Sequence, residues 1–298
     1  MANRDITHRT NKISAYTIQG EPGQAEKALI WLTAIGLQAV DGLPTTDYLL
    51  EISKHHIEGD IDIREAGRLI EAYHQSRNAH TEKDKLSKEG DIVSCRITAA
   101  LSEKTFTLSP ASLIALHRRL FAGVLLHAGG IRTRKLSKQA RCLNGDFVQD
   151  TSDDEILALL EHTFELEQKA IIRGITLECA VAHFTHFALN LWKIHPFPQG
   201  NMRTTAVYLL KFLGYFGLHL THQPFAEYSQ YLCNTPERSN NANVLQGISR
   251  TPKFMENFFR NLVLKTELSL NHSVLCAECD RKDGKNLREQ YIRPEYLR

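Results

Sequence analysis

The sequence predicts an all-α protein: a helical bundle with a small β-hairpin flap, preceded by a small helical domain. Three observations carry that expectation. Apolar residues recur at helical spacing in segment after segment. Helix starts and stops are marked by capping residues and glycines. One stretch, residues 131–150, lacks a helical period and instead carries Asn144-Gly145 at its centre, a hairpin signal.

The elements follow in order. AEKALIWLTAIGLQAV, 25–40, sets Ala28, Leu29, Leu32, Ile35 and Ala39 on one face, and Asp41-Gly42 stops it. A second helix is expected from about Thr46 to Ile57, ending at Gly59 in the left-handed conformation that terminates helices. Asp62 and Glu65 open a third, with Ile63, Ala66, Leu69, Ile70 and Tyr73 inward. The charged run 76–92 reads as a linker or an exposed helix end. Ser109-Pro110 caps and starts the next helix, and Ser152-x-x-Glu155 another with Ile156, Leu159, Leu160 and Phe164 inward. Segment 176–194 is apolar almost all round, as befits a buried central helix, and a second apolar run begins at Thr204. Thr251-Pro252 opens a last helix with Phe254, Phe258, Phe259 and Leu262 at helical spacing. The expected division is 1–80 for the N-terminal helical domain, 81–265 for the main domain and 266–298 for a basic tail.

Composition narrows the function. Apolar and charged fractions of 42% and 23% are those of a folding globular chain. A net charge of +2 with dispersed basic residues argues against nucleic-acid binding. The polar start MANRDITHRTNK lacks the apolar core of a signal peptide, and Lys211 interrupts the longest apolar run, so neither a leader nor a membrane span is expected. A cytoplasmic protein is the expectation, with export by a signal-less route still compatible. Scattered Cys95, Cys142, Cys179 and Cys233 suit reduced thiols. Cys276-x-x-Cys279 with His272 offers three zinc-type ligands without a second pair, which suits a surface tail better than a metal site.

The chemistry concentrates in HPFPQGNMR, 195–203, where one apolar helix ends and another begins. Gly200, Asn201, Met202 and Arg203 open the second helix, where unpaired backbone N–H groups and the positive helix end make an anion site. Arg203 can bind phosphate bidentately, Asn201 can bond a phosphate oxygen, and His195 can accept a proton from an attacking hydroxyl. Pro196 and Pro198 stiffen the loop, and Phe197 is expected to plug into the core beneath it. A base beside a phosphate cradle means phosphate-group transfer.

HPFPQGNMRTTA resembles the signature of the Fic (Fido) family, His-Pro-Phe-x-Asp/Glu-Gly-Asn-Gly-Arg-x-x-Arg. The likeness runs from about Leu116 to Leu264. HRRLF and HAGGIR are similar to the family's upstream helix and turn, TTAVYLLKFLGYFG to its core helix and PKFMENFFRNLV to its closing helix. The resemblance implies an all-helical protein that transfers AMP from ATP to a Ser, Thr or Tyr hydroxyl of a target protein. By position, His195 would be the general base, and Phe197, Gly200, Asn201, Met202 and Arg203 would form the nucleotide-holding stretch. The flap, roughly 134–149, would clamp an extended segment of the target by strand pairing. Tyr228, Tyr231 and residues 238–243 fall where the family builds its base pocket, although a solvated loop reads equally well. His183 and His186, three residues apart on a buried helix, read as satisfied core histidines.

Three departures bear on activity. Gln199 takes the place of the acid that holds Mg²⁺; its neutral oxygen suits a hard cation poorly, and losing about 3 kcal/mol of stabilisation slows a reaction on the order of 100-fold. Met202 replaces the second glycine and Ala206 the second arginine, a pattern shared by a branch of the family that reads Gly-Asn-x-Arg-Thr-Thr-Ala. The N-terminal unit resembles small antitoxin-type domains that block Fic sites through a Ser/Thr-x-x-x-Glu-Gly helix. LQAVDGLP is the best-placed match, with Leu37 for the hydroxyl residue and Asp41 as the inhibitory acid; KHHIEG offers Glu58 but has Lys54 in the hydroxyl position. A simple helix-ending role is the alternative for Asp41. A catalytically silent nucleotide- or protein-binding module, or transfer of another phosphate-containing group, is the alternative for the whole.

Overall fold

The computed structural model describes residues 13–77, 81–133, 138–139, 147–148, 155–170, 176–217, 228–240, 242, 249–271 and 275. After a short helical stretch at 13–19 come α1 (Pro22–Val40), α2 (Asp47–Glu58), α3 (Ile63–Ser76), α4 (Glu82–Ser102) and α5 (Pro110–Phe121). Then come α6 (Ile156–Lys169), α7 (Leu177–Ile194), α8 (Asn201–Tyr215), α9 (Ser229–Asn240) and α10 (Lys253–Leu264).

Local chemistry sets the helix ends. Thr46, Asp62 and Ser109 each accept a backbone N–H at the start of α2, α3 and α5, and Gly59 ends α2 at φ +90°. At α6 the capping position belongs to Glu155.

The expected fold class is corrected in one respect: among the described residues the architecture is all-helical, and the β-hairpin flap expected over 134–149 is not shown as an element of it. Within that stretch the described residues pair only two deep, Lys138 opposite Val148 and Gln139 opposite Phe147. A ladder of two residues per side is too short to stand as a sheet element of its own.

Two further expectations change. The charged run 76–92 contains the start of α4, capped at Thr81, whose Oγ1 accepts the Asp84 N–H while Asp84 reaches back. The exposed helix end expected there is its first turn, whereas the later residues Gly90, Asp91 and Ile92 are buried. In α1, burial extends well beyond the expected stripe, because α2, α4, α8 and α9 all pack on it. Ala34, Leu37 and Val40 join the large core with α5–α8 and α10, whereas Ala28, Trp31 and Ile35 join a second cluster with α2 and α3.

Two polar anchors lock helices to one another. Asp91, fully buried, accepts Thr46 N–H at 2.9 Å and Thr46 Oγ1–H at 2.6 Å, and meets His74 Nε2 at 2.8 Å, tying α4 to α2 and α3. Beside it, a Cβ at Gly90 would lie 2.3 Å from the Pro44 carbonyl, so only glycine allows this approach. Tyr208 of α8 accepts the Ser109 N–H at 3.0 Å and donates to the Thr107 carbonyl at 2.9 Å, which fixes the start of α5 against α8.

No described helix is long and apolar enough to cross a membrane.

Candidate active site

The site is the loop between α7 and α8. α7 ends at His195, which adopts φ +50°, a left-handed conformation that turns the chain out of the helix. Arg132, 3% exposed, fastens this end: its Nε donates to His195 O at 2.8 Å, its Nη2 to Ile194 O at 3.3 Å, and its backbone N–H to Pro196 O at 2.9 Å. These are carbonyls that the helix leaves without partners. The His195 side chain is half-buried.

Phe197 is fully buried, as expected, and stacks on His117 of α5 at 3.8 Å between ring centres. Asn201 closes the loop by accepting the Phe197 N–H at Oδ1, 2.9 Å, and donating Nδ2–H to the Phe197 carbonyl, 2.6 Å. Asn201 therefore shapes the loop from inside, at 3% exposure. Gln199 is exposed and Met202 half-buried. Gly200 takes φ +73°, and a Cβ there would come within 2.7 Å of the Phe121 ring. The first bond of α8 runs from Thr204 N–H to Gly200 O at 3.0 Å, so the amides of Asn201, Met202 and Arg203 precede the helical ladder.

His117 sits under this loop. Its Nδ1 accepts the Gly129 N–H at 2.8 Å, which leaves Nε2 as the protonated nitrogen, donating to Gln199 O at 3.0 Å. Burial holds its pKa down to about 4, so the ring is neutral.

Arg203 is almost fully buried and its guanidinium is surrounded. Nη1 donates to Gln38 Oε1 at 3.1 Å, Nη2 to Glu89 Oε1 at 2.6 Å, and Nε lies 2.6 Å from Asp41 Oδ2. The Asp41 contact is an ion pair off the N–H direction, since Nε makes no directed hydrogen bond. The Phe121 ring covers the guanidinium face at 4.7 Å. Asp41, at the end of α1, thus meets the first arginine of the motif, whereas Glu58 lies with Tyr16 and Lys54. Gln38, Glu89, His117, Phe121 and Arg132 were not singled out from sequence as site residues. HRRLF and HAGGIR contain three of them, and nothing local marks Glu89.

The fit to Mg²⁺ is poor. Among the described residues the one cluster of His and acidic side chains close enough to share an ion is His55, Glu58 and Asp60, none of them in the motif. Gln199 alone supplies one neutral oxygen, and a hard cation favours charged oxygen ligands.

Other predicted positions separate. His183 Nε2 pairs with Glu167 at 2.8 Å, but His186 is exposed rather than a core histidine, because it falls on the outer face of α7. Tyr231 is core, its hydroxyl donating to Phe254 O at 2.9 Å, and Tyr228 is half-buried. His272, Cys276 and Cys279 lie outside the described residues.

The model of the Fic/DOC family matches residues 107–213, a span containing α5–α7, the whole loop and α8 up to its last two residues. Residues 107–213 are therefore a region of Fic/DOC type. No curated protein matches it. The Fic match begins before Leu116 and ends before α9, so α1–α4, α9 and α10 lie outside it. The family generally transfers nucleotidyl or other phosphate-containing groups to proteins.

Proposed function

We propose that this Fic domain transfers AMP from ATP to a Ser, Thr or Tyr hydroxyl of a target protein. The observation that carries the reading is the junction itself: a histidine ending α7 and the uncapped amides opening α8 flank one rigid loop. The hydroxyl oxygen forms a bond to the α-phosphorus while the bond from that phosphorus to the pyrophosphate oxygen breaks. His195 takes the hydroxyl proton, and the amides from Gly200 onward with Arg203 offset charge on the phosphates. No step is assigned to Mg²⁺, given the poor ligand set. ATP as donor and reduced thiols suit the cytoplasm.

On this reading Arg203 must first leave its carboxylates. Asp41 and Glu89 compete with phosphate oxygens for it, which gives Asp41 an inhibitory role. A catalytically silent Fic-fold module is the second reading, favoured by the neutral, exposed Gln199 and the doubly held Arg203.

The test is incubation of the protein, His195→Ala and Asp41→Asn with ATP labelled at the α- or γ-phosphate, with candidate targets and cell lysate. Label from α-ATP that depends on His195 supports AMP transfer. Label from γ-ATP alone replaces it with transfer of a different group. No label in any variant, Gln199→Glu included, leaves the silent module.

A further inference from the structure

We propose that His117 is a positioning residue that aims the Gly200 amide of the phosphate cradle; this rests on the phosphate-binding reading of the loop. His117 and Phe121 lie one turn apart on α5 and hold the same dipeptide. Phe121 sits against the Gly200 Cα, where a Cβ would come within 2.7 Å of the ring. His117 Nε2–H holds the Gln199 carbonyl at 3.0 Å. The peptide between Gln199 and Gly200 is trans, so its C=O and N–H point in opposite directions. Fixing the carbonyl toward α5 therefore turns the Gly200 N–H away from α5.

The ring can do this in one tautomer only, and the Gly129 N–H selects that tautomer by donating to Nδ1 at 2.8 Å. The stack on Phe197, with rings 12° from parallel, sets the plane in which Nε2 points. A backbone amide in the turn before Arg132 thus determines the direction of an amide in the phosphate loop, through one neutral imidazole. An oxygen or nitrogen misdirected here would leave the carbonyl of Gln199 free to rotate and the Gly200 N–H with it.

Two substitutions separate this role from packing. In His117→Gln the side-chain amide reaches the Nε2 position and can keep the Gln199 contact; in His117→Asn it reaches only the Nδ1 position and keeps the Gly129 contact. The full chain, labelled with ¹³C-carbonyl glutamine and ¹⁵N-glycine, reports three Gln-Gly amides, at Gly20, Gly200 and Gly247. The signal lost in Gln199→Asn assigns Gly200. The Gly200 resonance is expected to move in His117→Asn and to stay close to the parent in His117→Gln. ATP binding by calorimetry is expected to weaken about tenfold in the Asn variant and to recover in the Gln variant, the scale of one oriented hydrogen bond. Equal changes in both variants, tracking lost stability, would reduce His117 to a packing residue. If ATP binds no form while the resonance still separates Asn from Gln, the phosphate reading falls and the positioning role stands.

Discussion

Arg203 offers the sharpest test, because weakening its grip should lower stability and raise nucleotide affinity together. The guanidinium is 4% exposed, while Asp41 and Glu89 are 32% and 20% exposed. Breaking a fully buried ion pair costs about 3–5 kcal/mol and an exposed one under about 1 kcal/mol. These half-screened pairs fall between, so Asp41→Asn or Glu89→Gln should each cost about 1–2 kcal/mol, with Gln38 and the Phe121 face remaining. The double variant strips both carboxylates and should cost more than the sum of the singles, since each single leaves the other acid in place. If phosphate oxygens must displace these acids, the free energy lost from the resting state is free energy that ATP no longer has to overcome. About 1–2 kcal/mol then appears as roughly 5- to 30-fold tighter ATP binding per single substitution. Urea unfolding gives the first quantity and isothermal titration with ATP the second. Lower stability with unchanged or weaker ATP binding would mean that Arg203 is a structural cation and that Asp41 inhibits nothing.

Gly200→Ala should destabilise the fold by about 2–4 kcal/mol, from a left-handed backbone and a Cβ driven into Phe121, and the same change in a Phe121→Leu background should cost less; thermal unfolding of the four forms measures the coupling. Gln199→Glu should increase any transferase activity on the order of tenfold or more and make it depend on Mg²⁺ concentration, read from label incorporation across a Mg²⁺ series. His56 accepts the Trp31 indole N–H at Nδ1, 3.0 Å, and burial with Lys27 nearby lowers its pKa to about 4 from the ordinary 6.5. The unfolded chain therefore takes up this proton first, and stability falls as pH drops from about 6.5 towards 4. His56→Gln should flatten the unfolding free energy over that window by up to about 1.4 kcal/mol per pH unit, measured by urea denaturation at a series of pH values.

The boundary between what the sequence reveals and what it hides lies at the length scale of the interaction. Thr46, Gly59, Asp62 and Ser109-Pro110 were legible because a cap acts within one turn of itself. The loop 195–203 was legible for the same reason: a histidine, two prolines and a glycine specify a helix end, a stiff turn and a helix start. Phe197 could be placed in the core because an apolar ring between two prolines has nowhere else to bury its area. The flap is not an element among the described residues: Asn-Gly specifies a turn but not the strands beside it, and there only two residues pair on each side. In the charged run 76–92 an exposed helix end was legible but the buried part of α4 was not, because Gly90 and Asp91 pack against Pro44 and Thr46, distant in the chain.

Residue types, spacing and caps determined most of the helices, though not the buried part of α4 or α9, together with the turn at 195–203 and the chemistry its side chains offer. The tertiary structure alone decided how that chemistry is held. Arg203 meets Gln38, Asp41 and Glu89 from two other helices, and His117 reaches Gln199 across 82 residues of chain. A guanidinium has no local preference for one carboxylate over another, and an imidazole has none for one carbonyl. Which of them it meets depends on the packing of α1, α4 and α5 around α8, and no local pattern encodes that.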